Sequence, residues 1–214
     1  MFVAVVPAAG RSTRMGAPKL VLPFAARTVI EYVVATLRDG GAKHVVVVTG
    51  PHSPELHSLA EAAGAEVLAL PAGTPDMRTT IEHGLRHLEQ RHSPQPTDAF
   101  ILAPADHPAF SPRLVRHLCQ AYLDARLQSM IVPIHAGHRG HPAVIAWRHV
   151  PRILAMPPDR GINAYLRQNP GEILEVETEE NGILLNLDRP SDYIALQLHP
   201  TKRPPPRRTG GRSS

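Results

Sequence analysis

The chain opens on two stretches that are apolar at every position, residues 2–6 and 45–48, the second being four consecutive valines. Unbroken runs of this kind mark strands buried on both faces of a parallel sheet, because a strand with one wet face would alternate. Between them Ile30, Val33, Val34 and Leu37 recur at helical spacing, Thr28 stands where an N-cap belongs, and Gly40-Gly41 supplies a stop. The order is strand, long loop, helix, parallel strand.

The same rhythm continues. Helices are predicted from 53 or 54 to 63, over 77–90 with Ile81, Leu85 and Leu88 inward, and from 111 or 112 to about 125 with Leu114, Val115, Leu118 and Tyr122 inward. Strands fall at 66–70, 99–103 and 130–134, and Pro133 favours an irregular or edge position for the last because it has no amide donor. Beyond it the pattern shortens. A strand at 142–146, helices at 147–156 and 161–168, an alternating strand at 172–178, a turn at Asn181-Gly182, a last strand over 183–188 and a helix over 191–198 follow. This succession predicts an α/β fold, a three-layer Rossmann-like sandwich on a mostly parallel mixed sheet. One domain spans residues 1–199 in this reading, and the Pro, Arg, Gly and Ser of 200–214 form a disordered basic tail.

Composition narrows the function classes. The 214 residues are 43% hydrophobic and 20% charged, enough to bury a core and to exclude a wholly disordered chain. Of the 23 basic residues, five (Lys202, Arg203, Arg207, Arg208 and Arg212) lie in the tail, so the body sets 18 against 19 acids despite the overall charge of +4. A nearly neutral body argues against a nucleic-acid groove. The single cysteine, Cys119, excludes an intramolecular disulfide and falls in an apolar helical setting. No apolar run reaches the roughly 18 residues of a membrane span, and residues 2–7 lack the charged lead of a secretory signal. A cytoplasmic protein without a membrane partner is expected.

The loop after the first strand is the richest in chemistry. Ala8, Ala9 and Gly10 are small enough for backbone amides to approach an anion, and Arg11, Arg14 and Lys19 add charge, with Ser12 between them. Open α/β sheets bind ligands at the carboxyl ends of their strands, so this loop points to phosphates. Its glycine spacing is not that of a dinucleotide fold, and Lys19, preceded by Pro18, is not in a Walker loop. Solvated bases on a surface loop are the plainer alternative.

Two acids belong to the same edge. Asp106 follows the strand at 99–103 and is placed either to hold a magnesium ion against phosphate oxygens or to cap a turn. In the last predicted strand, alternation puts Asn186 and Asp188 on one face, where Asp188 is either a second oxygen ligand or a helix cap. His107 is a substrate donor or a local turn contact. Arg139-Gly140-His141-Pro142 is a substrate loop or a tight turn, and Asp76-Met77-Arg78-Thr79-Thr80 opens a helix whose free amides meet a base or phosphate unless Asp76 caps them. Thirteen histidines invite a zinc reading, but His135, His138 and His141 sit in a glycine-rich loop without ligand spacing.

Taken in order, these stretches resemble the MobA-like NTP transferase family, and within it the molybdenum cofactor cytidylyltransferases. The first loop of that family, Ala-Ala-Gly-x-Ser-x-Arg-Met-Gly-x-Pro-Lys, is matched at every fixed position by residues 8–19. Its Gly-Met-x-x-Ser is similar to residues 76–80, its Gly-Asp-x-Pro to Ala105-Asp106-His107-Pro108, and its Arg-Gly-His-Pro is intact from Arg139 to Pro142. Its Asp-Ile-Asp-Thr-Pro-Glu-Asp ending resembles residues 186–192, with Asn186 and Arg189 departing from it; Asp76 departs in the earlier stretch. The resemblance spans about residues 2–198.

The resemblance implies a sheet of the nucleotide-diphospho-sugar transferase type and a magnesium-dependent nucleotidyltransferase, with Mn2+ as an alternative ion. It implies transfer of CMP from CTP to the phosphate of molybdopterin, releasing pyrophosphate, or else GTP, or a sugar, alcohol or other cofactor phosphate. Nucleotide binding would fall to Ala8, Ala9, Gly10, Arg11, Ser12, Arg14, Lys19, Met77, Thr79, Thr80 and Asp106. Catalysis would fall to Arg14, Lys19, Asp106 and Asp188, the two acids holding the metal. His107, Arg139, Gly140, His141 and Pro142 would meet the acceptor, and a recipient molybdoenzyme or its maturation chaperone is the implied protein partner.

Overall fold

Among the residues described by a computed structural model (1–10, 18–51, 54–157 and 160–198), eight strands form one sheet. In chain order the strands are β1 (Phe2–Ala8), β2 (Pro23–Phe24), β3 (Arg27–Thr28), β4 (His44–Thr49), β5 (Glu66–Ala69), β6 (Ala99–Leu102), β7 (Met130–His135), β8 (His138–Arg139), β9 (Ala143–Ala146) and β10 (Ile173–Glu177). The sheet runs β10-β7-β9-β6-β1-β4-β5, with β8 on β7, and β2 and β3 form a separate hairpin. Only the pairs made by β9, and the β7–β8 hairpin, are antiparallel in the main sheet.

Among the described residues seven helices cover it: α1 (Val29–Asp39), α2 (Pro54–Ala62), α3 (Met77–His92), α4 (Pro112–Asp124), α5 (Val150–Leu154), α6 (Ile162–Gln168) and α7 (Pro190–Leu198). Side chains from α1, α2, α4 and α7 pack with Ala4, Val6 and Ala8 of β1 in one core layer, while α3, α5 and α6 pack with Val3 and Val5 in the other. That division explains the unbroken apolar run in β1: both faces of a central parallel strand are dry. Gly84 lets α3 approach closely, since a Cβ there would lie 2.8 Å from Val5 Cγ1 and 3.0 Å from Val48 Cγ2.

The expected cap at Thr28 forms, and the structure adds a second at Ser111. Thr28 and Glu31 make a reciprocal capping box on α1, and Ser111 accepts from the Leu114 amide at 3.1 Å with Pro112 at the first position of α4. Cys119 is buried in α4, and burial pushes its thiol up to about 12. No helix of the described residues is long and apolar enough to cross a membrane.

Three expectations are corrected. β7 is an interior strand, flanked by β10 and β9; Pro133 sits just past the last β9 pair, where β8 takes over as neighbour. Residues 183–188 do not form a strand. Asn181–Leu184 is a 3-10 turn and the chain then runs irregularly, buried through Ile183 and Leu187 instead of through a ladder. The segment at 147–156 is likewise split, into a 3-10 turn Trp147–His149 and α5. The tail, and residue 53 as a start for the second helix, lie outside the described residues.

Candidate nucleotide-transfer site

After β1 the chain builds one side of the sheet through β4 and β5, then crosses to β6 on the other side of β1. The reversal opens a crevice at the carboxyl ends of β1 and β6, the place where such sheets take ligands. Backbone bonds from Ala103 to Val5 O and from Ala105 to Pro7 O continue the pairing past β6, and so carry Asp106 to the end of β1.

Lys19 meets Asp106 there. Leu20 is buried and anchors the 3-10 turn Lys19–Val21, leaving the Lys19 ammonium 2.8 Å from Asp106 Oδ2 and 3.0 Å from Asp188 Oδ1. Asp188 arrives by a route the sequence did not signal. The Leu187 amide donates to Asp106 O at 2.8 Å, and Asp192 Oδ2 accepts from the Asp188 and Arg189 amides at 3.0 and 2.7 Å. Asp192 therefore takes the capping task at the start of α7. Asn186 Nδ2 donates to Asp188 Oδ2 at 3.2 Å, so the two residues are adjacent without a strand to align them.

Two carboxylates converging on one cationic atom form a hard oxygen donor set of the kind magnesium and manganese prefer. The donors fit such an ion, and the Lys19 ammonium now neutralises the charge it would meet. Both acids are partly exposed, so phosphate oxygens can reach the same point from solvent.

The Arg139-Gly140-His141-Pro142 stretch closes the neighbouring side. The His141 amide donates to Ile183 O at 3.0 Å, and its ring meets His107 edge to face at 4.9 Å. Burial, then the His107 charge, pushes His141 down to about 4, and burial also lowers His107, with Asp106 partly opposing it. Both imidazoles are therefore uncharged near neutrality. Their buried Nδ1 atoms have no hydrogen-bond partner among the described residues. Beside them lies a cavity of about 300 Å³ whose walls include Leu102, Val132 and Leu166, with Arg139 and Arg167 among its polar members. Glu175 Oε1 holds Arg139, accepting from Nε at 2.7 Å and lying 2.6 Å from Nη2.

Glycine is required in this loop by close approach. A Cβ on Gly140 would lie 2.5 Å from Ile183 O, and one on Gly182 would lie 1.8 Å from Ala109 O, both backbone atoms with little freedom to move. Gly140→Ala or Gly182→Ala is expected to cost about 1–3 kcal/mol and lower Tm by roughly 3–10 °C. Thermal denaturation of the two variants checks this.

Other sequence candidates are placed elsewhere or not at all. Ala8 ends β1 and Ala9 and Gly10 follow it, whereas Arg11, Ser12 and Arg14 lie outside the described residues. At the start of α3 Met77 is exposed, but the Thr79 amide donates to Asp76 Oδ1 at 2.7 Å and Thr80 Oγ1 lies 2.6 Å from Thr74 Oγ1. Local bonds thus occupy both threonine groups. Arg78, buried, pairs with Glu82 at 2.6 Å and donates to Met156 O at 2.7 Å, tying α3 to the chain after α5. Its signal in the sequence was the i, i+4 spacing of opposite charges.

His135, His138 and His141 do not form a cluster of metal ligands, and His135 Nδ1 instead faces Thr178 O at 2.8 Å. Among the described residues, the group that could hold a divalent ion by imidazole is His44, Glu66 and His92, whose ligand atoms lie within 4.8 Å of one another. Burial leads in lowering the His44 pKa, and hydrogen bonds from His92 and His87 lower that of Glu66 against its desolvation.

Residues 4–173 match the MobA-like NTP transferase domain, and the chain belongs to that family of nucleotidyltransferases. It is 24% identical to the molybdenum cofactor cytidylyltransferase of Escherichia coli K12, over 90% of this chain and 94% of that one. It is also 26% identical to nicotine blue oxidoreductase of Paenarthrobacter nicotinovorans, over 83% and 88% respectively. Among solved structures, a nucleotidyl transferase from Methanothermobacter superposes with a TM-score of 0.77 at 22% identity, over 93% of this chain and 97% of that one.

Proposed function

We propose that the chain transfers CMP from CTP to the terminal phosphate of molybdopterin and releases pyrophosphate. The observation that carries the reading is the junction of Lys19 with Asp106 and Asp188 at the switch point of the sheet. It sets a cation and two oxygen donors where a triphosphate emerging from the first loop would lie. The resemblance of residues 8–19 to the cytidylyl-transferring loop favours cytosine over guanine.

In this reading the acceptor phosphate oxygen attacks the α-phosphorus, the new P–O bond forms, and the bond to the β-phosphate oxygen breaks as pyrophosphate leaves. A terminal phosphate is already ionised near neutrality, so no nucleophilic side chain is needed. Arg14 and Lys19 neutralise the triphosphate, together with amides of Ala9 and Gly10. Asp106 and Asp188 would hold Mg2+, which supplies Lewis-acid charge at the non-bridging oxygens. His107 and His141, uncharged, orient the acceptor by hydrogen bonds. The adjoining cavity, apolar on its walls and bearing Arg139 and Arg167, suits a ring system with an anionic end.

The test is pyrophosphate release across CTP, GTP, UTP and ATP, each against molybdopterin and against sugar, alcohol and other cofactor phosphates. CTP with molybdopterin is expected to exceed GTP by at least about tenfold in kcat/KM, a difference of about 1.4 kcal/mol in transition-state binding. Preferential GMP transfer would overturn the base assignment. Faster turnover of another phosphate would overturn the acceptor, and silence with every pair would overturn the transfer reaction itself.

A further inference from the structure

The opposite edge of the sheet carries a second cluster that the transfer reaction does not use. His44 is the first residue of β4, Glu66 the first of β5 and His92 the last of α3. Val46 pairs with Glu66, and His44 lies two residues before Val46, so His44 and Glu66 project to the face on which α3 packs. The close seat of Gly84 on Val5 and Val48 fixes the distance of α3 from that face, and the last turn of the helix brings His92 over the strand ends. From Ala8 back to Val3, the partner of His44, β1 advances five residues, about 16 Å at the usual strand rise. The cluster is therefore remote from Lys19, Asp106 and Asp188.

Its geometry converges on one oxygen. Glu66 Oε1 lies 3.4 Å from His44 Nδ1 and 2.7 Å from His92 Nε2, and the two imidazoles stack at 3.7 Å with an interplanar angle of 21°. His87 Nε2 approaches the other oxygen, Oε2, at 3.2 Å, and Arg91 Nε reaches it at 3.4 Å. The three ligand atoms lie within 4.8 Å of one another, against about 3.3 Å around a tetrahedral zinc ion with bonds near 2.0–2.1 Å, so rotation of the two rings out of their stack, turning both in-plane lone pairs toward one point, would complete the site. All three ligand side chains are partly exposed, which leaves an entry path and room for a fourth ligand from solvent.

We propose that His44, Glu66 and His92 form a binding site for a divalent transition metal of the zinc class, with His87 as the positioning residue that holds the Glu66 carboxylate. Two imidazoles and one carboxylate suit zinc, cobalt or nickel and not magnesium, which prefers oxygen throughout. The affinity rests on the ring nitrogens, not on net negative charge, because Arg91 and Lys43 stand nearby. A cation shared by the two rings and the carboxylate also joins three separate elements, so binding stabilises the folded chain.

The experiment uses the full chain stripped of metal by chelation, with Zn2+ added for thermal denaturation and Co2+ added for visible absorption. Zn2+ at about a hundredfold over its Kd is expected to raise Tm by roughly 5–10 °C. Co2+ is expected to give the intense visible bands of a low-coordinate site. His44→Gln and His92→Gln, on different elements, should each weaken binding at least tenfold, and His87→Gln about tenfold. His83→Gln, on the exposed side of α3, should bind as the unaltered chain does. Magnesium-supported pyrophosphate release should be unchanged in all four. Absence of both the Tm rise and the Co2+ bands in the unaltered chain overturns the site. So does an equal response from whichever of His44→Gln and His92→Gln folds, or an equal loss in His83→Gln, either of which would assign the binding to scattered surface histidines.

Discussion

Lys19→Ala is expected to lower kcat/KM for nucleotidyl transfer by about 10²–10³-fold while the protein stays folded. Charge develops on the phosphate oxygens as pyrophosphate departs, and a preorganised ammonium is worth several kcal/mol at that moment. The fold should tolerate the loss because the carboxylates left behind, Asp106 and Asp188, are 20% and 34% exposed and keep water as a partner. Leu20, which anchors the turn, is untouched. Steady-state kinetics read beside thermal denaturation make the comparison. The effect should fall mainly on kcat, since the interaction strengthens in the transition state. Near-normal kcat/KM in a folded variant would remove Lys19 from the reaction.

That Lys19 belongs with two acids was only partly legible from the chain. The runs at 2–6 and 45–48 announced a parallel sheet, the cap Thr28 announced α1, and the spacing of Leu114, Val115 and Leu118 announced α4, because these signals are local: a dry strand face, a hydroxyl before a helix, an apolar stripe. Asp106 could be placed by the strand before it. Asp188 was assigned to a strand because Ile183-Leu184-Leu185 reads as one, yet Ile183 and Leu187 are buried by docking on the loop after β6. Periodicity records burial and does not say which neighbour does the burying. The Gly182 contact with Ala109 and the Leu187 bond to Asp106 each join residues more than seventy positions apart, beyond any local signal. The same reason hid His44, Glu66 and His92, which come from three elements. The histidines at 135, 138 and 141 are close in sequence, and His135 pairs with His138 across the β7–β8 hairpin, but their ligand atoms do not converge.

Asp106→Asn and Asp188→Asn are each expected to reduce transfer by at least about a hundredfold and to raise the magnesium concentration needed for half-maximal rate. Asparagine keeps the volume and one carbonyl oxygen but removes the charge that draws a divalent cation out of water. The main-chain bond from Leu187 to Asp106 O, and the Asp192 cap on the Asp188 and Arg189 amides, survive both substitutions, so the crevice should keep its shape. Asn186→Ala removes only a 3.2 Å hydrogen bond to the far oxygen of Asp188 and should cost less than about tenfold. Lys19 sharpens the comparison. Its ammonium and the metal draw on the same two carboxylates, so in Lys19→Ala the magnesium midpoint should move down even as kcat falls, opposite to its movement in the aspartate variants. Titrating magnesium against initial rate in these four proteins separates the roles. If both Asp→Asn proteins turn over normally at low magnesium, neither carboxylate holds the ion, and their meeting at Lys19 is an ion-pair network that braces the crevice without entering the chemistry.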